Sequence, residues 1–114
     1  MGLSKVTLIV TQRERFSLTK PSLDSIIADY SSYPFELIYV DGNAPSQVHQ
    51  YLQQQADKHE FMTLIHRGSY LRSNVARNIA LPLVKDADYI VFIDNDVIVE
   101  PGWLKGLVEC ADRK

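Results

Sequence analysis

A chain of 114 residues that is 46% hydrophobic can build one domain with a real core, and little length remains for a second. Its formal charge of -2 lacks the basic excess of a nucleic-acid binder, and a single cysteine, Cys110, excludes an internal disulfide framework. The apolar runs are strand-sized, too short for a transmembrane helix or a secretory signal, so a cytoplasmic location is the default expectation.

In chain order, the β-branched run KVTLIVT, residues 5–11, predicts a first strand that ends at the polar stretch QRER. A helix follows, with Leu23, Ile26, Ile27 and Tyr30 at the spacing of one buried face and Pro21 near its first turn. FELIYVD, residues 35–41, predicts the second strand, closed by GNAPS. Ser46 then stands where it would cap a helix that turns Val48, Tyr51, Leu52 and Ala56 inward. FMTLIH, residues 61–66, is the third strand, and Gly68 opens the next loop. Ser73 is placed to cap a helix with Val75, Ala76, Ile79, Ala80 and Leu83 on one face; Pro82 predicts a kink or an early end. YIVFID, residues 89–94, is the fourth strand, and Pro101 begins a last helix with Leu104, Leu107 and Val108 inward.

This βαβαβαβα order, with strands apolar on both faces, predicts a doubly wound α/β architecture. Its sheet is four-stranded, mostly parallel and covered by helices on both faces, a Rossmann-like half. Right-handed crossovers bring the C-terminal ends of the strands to one edge, where such sheets bind ligands near the point of strand-order reversal. The residues that follow the strands are Thr11 to Glu14, Asp41 to Asn43, Gly68 to Arg72 and Asp94 to Asp96. These loops carry basic or acidic groups that would converge on one crevice.

Asp94 and Asp96 are the sharpest feature. In extended backbone, positions two apart point the same way, so both carboxylates would face one region. Two unit charges about 4 Å apart repel by roughly 4 kcal/mol at an effective dielectric near 20. A shared proton would relieve this, as would a hard divalent cation: Mg²⁺ or Mn²⁺ typically takes one or two carboxylates, water and substrate phosphates. The plain alternative makes Asp94 a cap and leaves Asp96 in solvent.

Asn74, Arg77 and Asn78 share a helix face opposite the apolar one, either as an ordinary solvated face or beside an anion at the helix start, where Arg72 and Arg77 would add charge-assisted bonds. Asp41 either caps its turn or accepts hydrogen bonds from a ligand. His49, His59 and His66 lack close ligand spacing and have no cysteine partner set, which argues against a zinc site. No Walker A sequence, dinucleotide fingerprint, calcium loop or nucleophile elbow is present.

The stretches VTLIVTQRER, FELIYVDGN, NVARNIAL and ADYIVFIDNDVIVEPGWL occur in the order and spacing of a known family. The chain resembles the N-terminal, nucleotide-binding half of family 2 glycosyltransferases of the GT-A fold. FIDND followed by PGWL is the most specific piece. The resemblance implies an inverting enzyme that moves a sugar from a nucleotide diphosphate donor to an acceptor hydroxyl on a saccharide, lipid or protein. Asp94, Asn95 and Asp96 match the family's DxD motif. Asp96 would hold Mg²⁺ or Mn²⁺ on the diphosphate, with Asp94 near the ribose or a metal-bound water. Asp41 matches the carboxylate that bonds the base, Arg77 the nucleotide-facing arginine, and Thr11 and Arg13 the loop on base and ribose.

Two departures stand out. The family often has a second Asp where this chain has Gly42, and the sequence stops at ECADRK, before the acceptor-binding half that carries the family's catalytic base. Residues 1–114 are thus expected to form one donor-binding domain with weak, metal-dependent nucleotide binding and little or no sugar transfer alone. A non-catalytic module of the same fold is the alternative, with self-association through the surface left by the missing half. A nucleotidyltransferase-like enzyme would want a glycine-rich loop after the first strand, and TQRERF has no glycine.

Overall fold

Residues 3–12 and 16–113 are described in the computed structural model of the chain. One sheet of four strands, β1 (Val6–Thr11), β2 (Glu36–Gly42), β3 (Met62–Arg67) and β4 (Tyr89–Asp94), runs in the order β3-β2-β1-β4 with every pairing parallel. Four helices alternate with them: α1 (Thr19–Ala28), α2 (Ser46–Lys58), α3 (Ser73–Ala80) and α4 (Trp103–Asp112). The architecture is the expected α/β one. Every residue of β1 is buried because this strand is flanked on both sides and covered on both faces.

Strand alternation sorts the core into two layers. Val6, Leu8, Val10, Leu37 and Tyr39 join Leu23, Ile26, Leu52, Leu104 and Val108 in the larger layer. On the other face, Ile9, Ile38 and Val40 meet Ala76 and Ala80, whose small side chains let α3 lie close to the sheet. That narrow alanine stripe explains why two residues expected to face inward do not: Val75 and Leu83 are exposed, and so is Leu107 on α4, where Leu104 and Val108 alone form the buried stripe.

Helix starts also shift. Ser46 and Ser73 are the first helical residues; Pro45 and Arg72 hold the cap positions, and no side chain caps either helix. Pro101 lies in the turn before α4, which begins at Trp103 after Gly102 takes up a positive φ of 84°. Pro82 acts as expected: α3 stops at Ala80 and a short 3-10 turn, Leu81–Leu83, carries the proline. Among the described residues no helix is long and apolar enough to cross a membrane.

β1 pairs with β2 on one side and β4 on the other, so the chain reverses its direction of growth at the β1/β4 boundary. That boundary is the topological switch point. Leu52 on α2 is fully buried, whereas Leu107 on α4 is 46% exposed. Leu52→Ala is expected to lose about 2–5 kcal/mol in denaturant unfolding, and Leu107→Ala within about 0.5 kcal/mol.

Candidate functional site

Asp94 closes β4 and is registered with Thr11, the last residue of β1, so the acidic motif sits at the switch point. Beyond it the strand does not continue. The Val97 N–H donates to the Asp94 carbonyl (3.2 Å), folding residues 94–97 into a turn. The same-face placement expected from extended backbone therefore does not apply past Asp94. What replaces it is Asn95, fully buried: its N–H donates to the Thr11 carbonyl (3.0 Å) and its side-chain amide to Thr19 Oγ1 (3.3 Å). With the middle residue turned inward, Asp94 and Asp96 flank it, each half-buried.

A polar stripe on α1 holds the chain that follows. Ser22 Oγ donates to the Val97 carbonyl, Ser25 Oγ accepts the Val99 N–H (3.1 Å), and Asp29 Oδ1 accepts the Gly102 N–H (2.9 Å). Thr19, Ser22 and Asp29 are buried, which is costly for polar groups without partners. Here they satisfy an irregular segment that has no sheet neighbour of its own. The apolar periodicity of α1 gave no hint of this stripe, although its spacing of three and four residues was present in the sequence.

Arg77 does not lie on a solvated face with Asn74 and Asn78. Those two are exposed, while the Arg77 guanidinium stacks 4.6 Å from the centroid of the Phe92 ring. Its Nε is buried and has no hydrogen-bond partner among the described residues. Arg77, Phe92 and Asp94 line a groove of about 310 Å³ with Val97, Val99 and Trp103, so a cation and a carboxylate share one open cleft beside β4.

At the β2 end, Asp41 is fully buried and both its oxygens are engaged. Oδ1 accepts the Ala44 N–H (2.9 Å), closing the turn after the strand. Oδ2 lies 2.8 Å from His49 Nδ1 and 2.9 Å from His66 Nδ1. Asp41 and His66 are register partners on β2 and β3, and His49 comes from the first turns of α2. Histidine spacing in the sequence concealed this meeting, because the pairing register creates it. Two residues back along β2, burial pushes the Tyr39 phenol far above its ordinary pKa, which keeps it neutral.

Gln12, part of the polar stretch after β1 but given no role of its own in the sequence, ties the two central strand ends together: its Oε1 accepts the Gly42 N–H (3.0 Å). Gly42 itself has no room for a side chain. A methyl group there would meet Leu71 N at 3.0 Å, Ser69 O at 3.2 Å and Leu71 Cβ at 3.3 Å. The glycine is thus explained by the close approach of the 69–71 loop. Of the other expected site residues, Thr11 is buried, and Arg13 lies outside the described residues.

One family profile, "Glycosyl transferase family 2", matches residues 7–114. The chain belongs to glycosyl transferase family 2. It is 27% identical over 108 residues to a hyaluronan synthase of Pasteurella multocida, covering 95% of this chain and 11% of that protein. Among solved structures it is similar to the mannosyltransferase PcManGT of Pyrobaculum calidifontis in complex with GDP-Man and Mn²⁺. The TM-score is 0.78, the identity 23%, and the coverage 96% of this chain and 32% of that one. TarS of S. aureus, residues 1–349, matches with the same TM-score and coverages at 21% identity. The fold is therefore that of GT-A glycosyltransferases, and the chain spans about a third of these solved relatives and about a tenth of the curated one.

Two substitutions test this geometry. Asn95→Ala removes a buried donor and leaves Thr19 Oγ1 without it, with an expected loss of about 1–3 kcal/mol in chemical unfolding. Gly42→Ala forces the 69–71 backbone outward by a few tenths of an ångström. It is expected to cost about 1–3 kcal/mol, with amide chemical-shift changes concentrated at residues 69–71.

Proposed function

We propose that the chain is the donor-binding half of an inverting glycosyltransferase, which takes a sugar from a nucleotide diphosphate sugar and passes it to an acceptor hydroxyl with the help of Mg²⁺ or Mn²⁺. The observation that carries this reading is the turn at the switch point, where Asp94 and Asp96 flank a buried Asn95 in a chain of this family. The donor set suits the ion. Two half-buried carboxylates offer hard oxygen ligands at a solvent-facing edge, and a hard divalent cation completes its shell with water and phosphate oxygens. When bound, such an ion neutralises charge on the departing diphosphate.

The chain's own residues have roles that follow from their placement. Asp96 is the proposed metal ligand, and Asp94 serves the metal or the ribose. Asn95 and the α1 stripe fix the backbone from which both carboxylates project, which limits the reorganisation needed on binding. Arg77, with a buried Nε that has no partner among the described residues, is the proposed cation for a donor phosphate sharing its groove with Asp94. Thr11 and Arg13 belong to the proposed nucleotide pocket, with Asp41 the proposed contact to the base. Support for a nucleotide sugar comes from the mannosyltransferase relative, described in complex with GDP-Man and Mn²⁺. Catalysis itself would need an acceptor-side base, and no residue of this chain is assigned to it.

Isothermal titration calorimetry with UDP or GDP, with and without Mn²⁺, tests the proposal. Binding heat is expected only with the metal, and Asp96→Ala should weaken it by roughly tenfold or more, which is about 1.4 kcal/mol. Metal-independent heat, or equal affinity in the variant, overturns the reading.

A further inference from the structure

We propose that Asp41, His49 and His66 form a second metal site, one for a borderline transition ion such as Zn²⁺ or Co²⁺ and separate from the acidic turn. The carboxylate Oδ2 and the two Nδ1 atoms lie within 4.8 Å of one another. Ligand atoms held by one ion at roughly 2.0–2.2 Å stand roughly 3 to 4 Å apart, so the set closes on an ion with small side-chain rotations. Oδ2 already stands 2.8 and 2.9 Å from the two nitrogens, and the imidazole rings lie against each other with centroids 4.2 Å apart at 42°.

The chemistry of this set differs from that of the acidic turn. Two imidazoles and one carboxylate suit Zn²⁺, Co²⁺ or Ni²⁺, whereas Mg²⁺ and Ca²⁺ prefer all-oxygen shells. Three protein ligands leave a fourth position to water, as in open zinc sites.

The site is also built and reachable. The Ala44 N–H on Oδ1 fixes the carboxylate, the kind of outer bond that orients a metal ligand. The β2/β3 register fixes His66 beside Asp41, and the helical backbone of α2 fixes His49. Asp41 has no exposed surface, yet the His49 and His66 side chains are 32% and 45% exposed, which gives an ion an entry path from solvent. An imidazole that binds an ion through Nδ1 carries its proton on Nε2, and that is the tautomer this site requires of both rings.

The test is a titration of chelator-treated protein with Co²⁺, read by its visible d–d absorption, followed by displacement with Zn²⁺. Intense bands of low-coordinate cobalt are expected in the parent chain and in Asp96→Ala, whose lesion is at the other site. His49→Ala and His66→Ala each remove a direct ligand, so the loss should exceed the roughly 10- to 100-fold that follows removal of an orienting partner. Both histidines are partly exposed, so circular dichroism should show the variants folded; Asp41 is left intact because it is buried. Absence of d–d bands in the parent chain at excess Co²⁺ overturns the proposal. So does parental cobalt affinity in the His49→Ala/His66→Ala double variant. Neither readout involves a nucleotide, so the result stands apart from the donor-binding proposal.

Discussion

Burial of Asn95 is the constraint on which the candidate site depends. A buried amide without partners costs a few kcal/mol, and this one is held by the β1 carbonyl at Thr11 and the α1 hydroxyl at Thr19. Those bonds tie the central strand, the first helix and the acidic turn to one another. The turn then has little freedom to rearrange. The support is continuous, because the α1 stripe goes on to hold residues 97–102 with three further bonds.

The same device recurs at the other end of the edge with different chemistry. Parallel register sets Thr11 beside Asp94 across the β1/β4 pair and Asp41 beside His66 across β2/β3. A slip of one residue in either pair would turn its side chains to the opposite face and dissolve that pair's grouping. The buried alternation of Leu8, Val10, Leu37 and Tyr39 specifies the register far from the site, so core packing determines which polar groups meet at the edge. On the β1/β4 side the result is hard oxygen donors beside an arginine. On the β2/β3 side it is one carboxylate between two imidazoles.

Much of this was legible in the sequence, and the reasons divide cleanly. Element type and order followed from period and length: β2 and β3 each begin one residue later than their apolar runs, and β4 coincides with YIVFID. Faces were less legible. Val75 and Leu107 look like core residues in a helical pattern, but small alanines and a narrow contact stripe left them outside. Polar burial was not legible at all for Thr19, Ser22 and Asp29. A buried polar residue and a solvated one look alike until the irregular segment that uses it is in place. The meeting of His49 with His66 was hidden for the same reason, since it depends on pairing between residues far apart in the chain.

Asp41 carries the strongest competing demands. A carboxylate offers about four acceptor positions, and Ala44, His49 and His66 address three of them. One position remains, on a side chain with no exposed surface. Contact between Asp41 and a nucleotide base therefore requires one imidazole to yield, or the base to be read through the exposed edges of the rings. An ion held among the same three side chains would oppose either rearrangement, because it converts two displaceable hydrogen bonds into metal bonds. If both proposals hold, hard and borderline ions act in opposite senses on this one sheet edge: one recruits the diphosphate at Asp96, and the other locks the carboxylate that would meet the base.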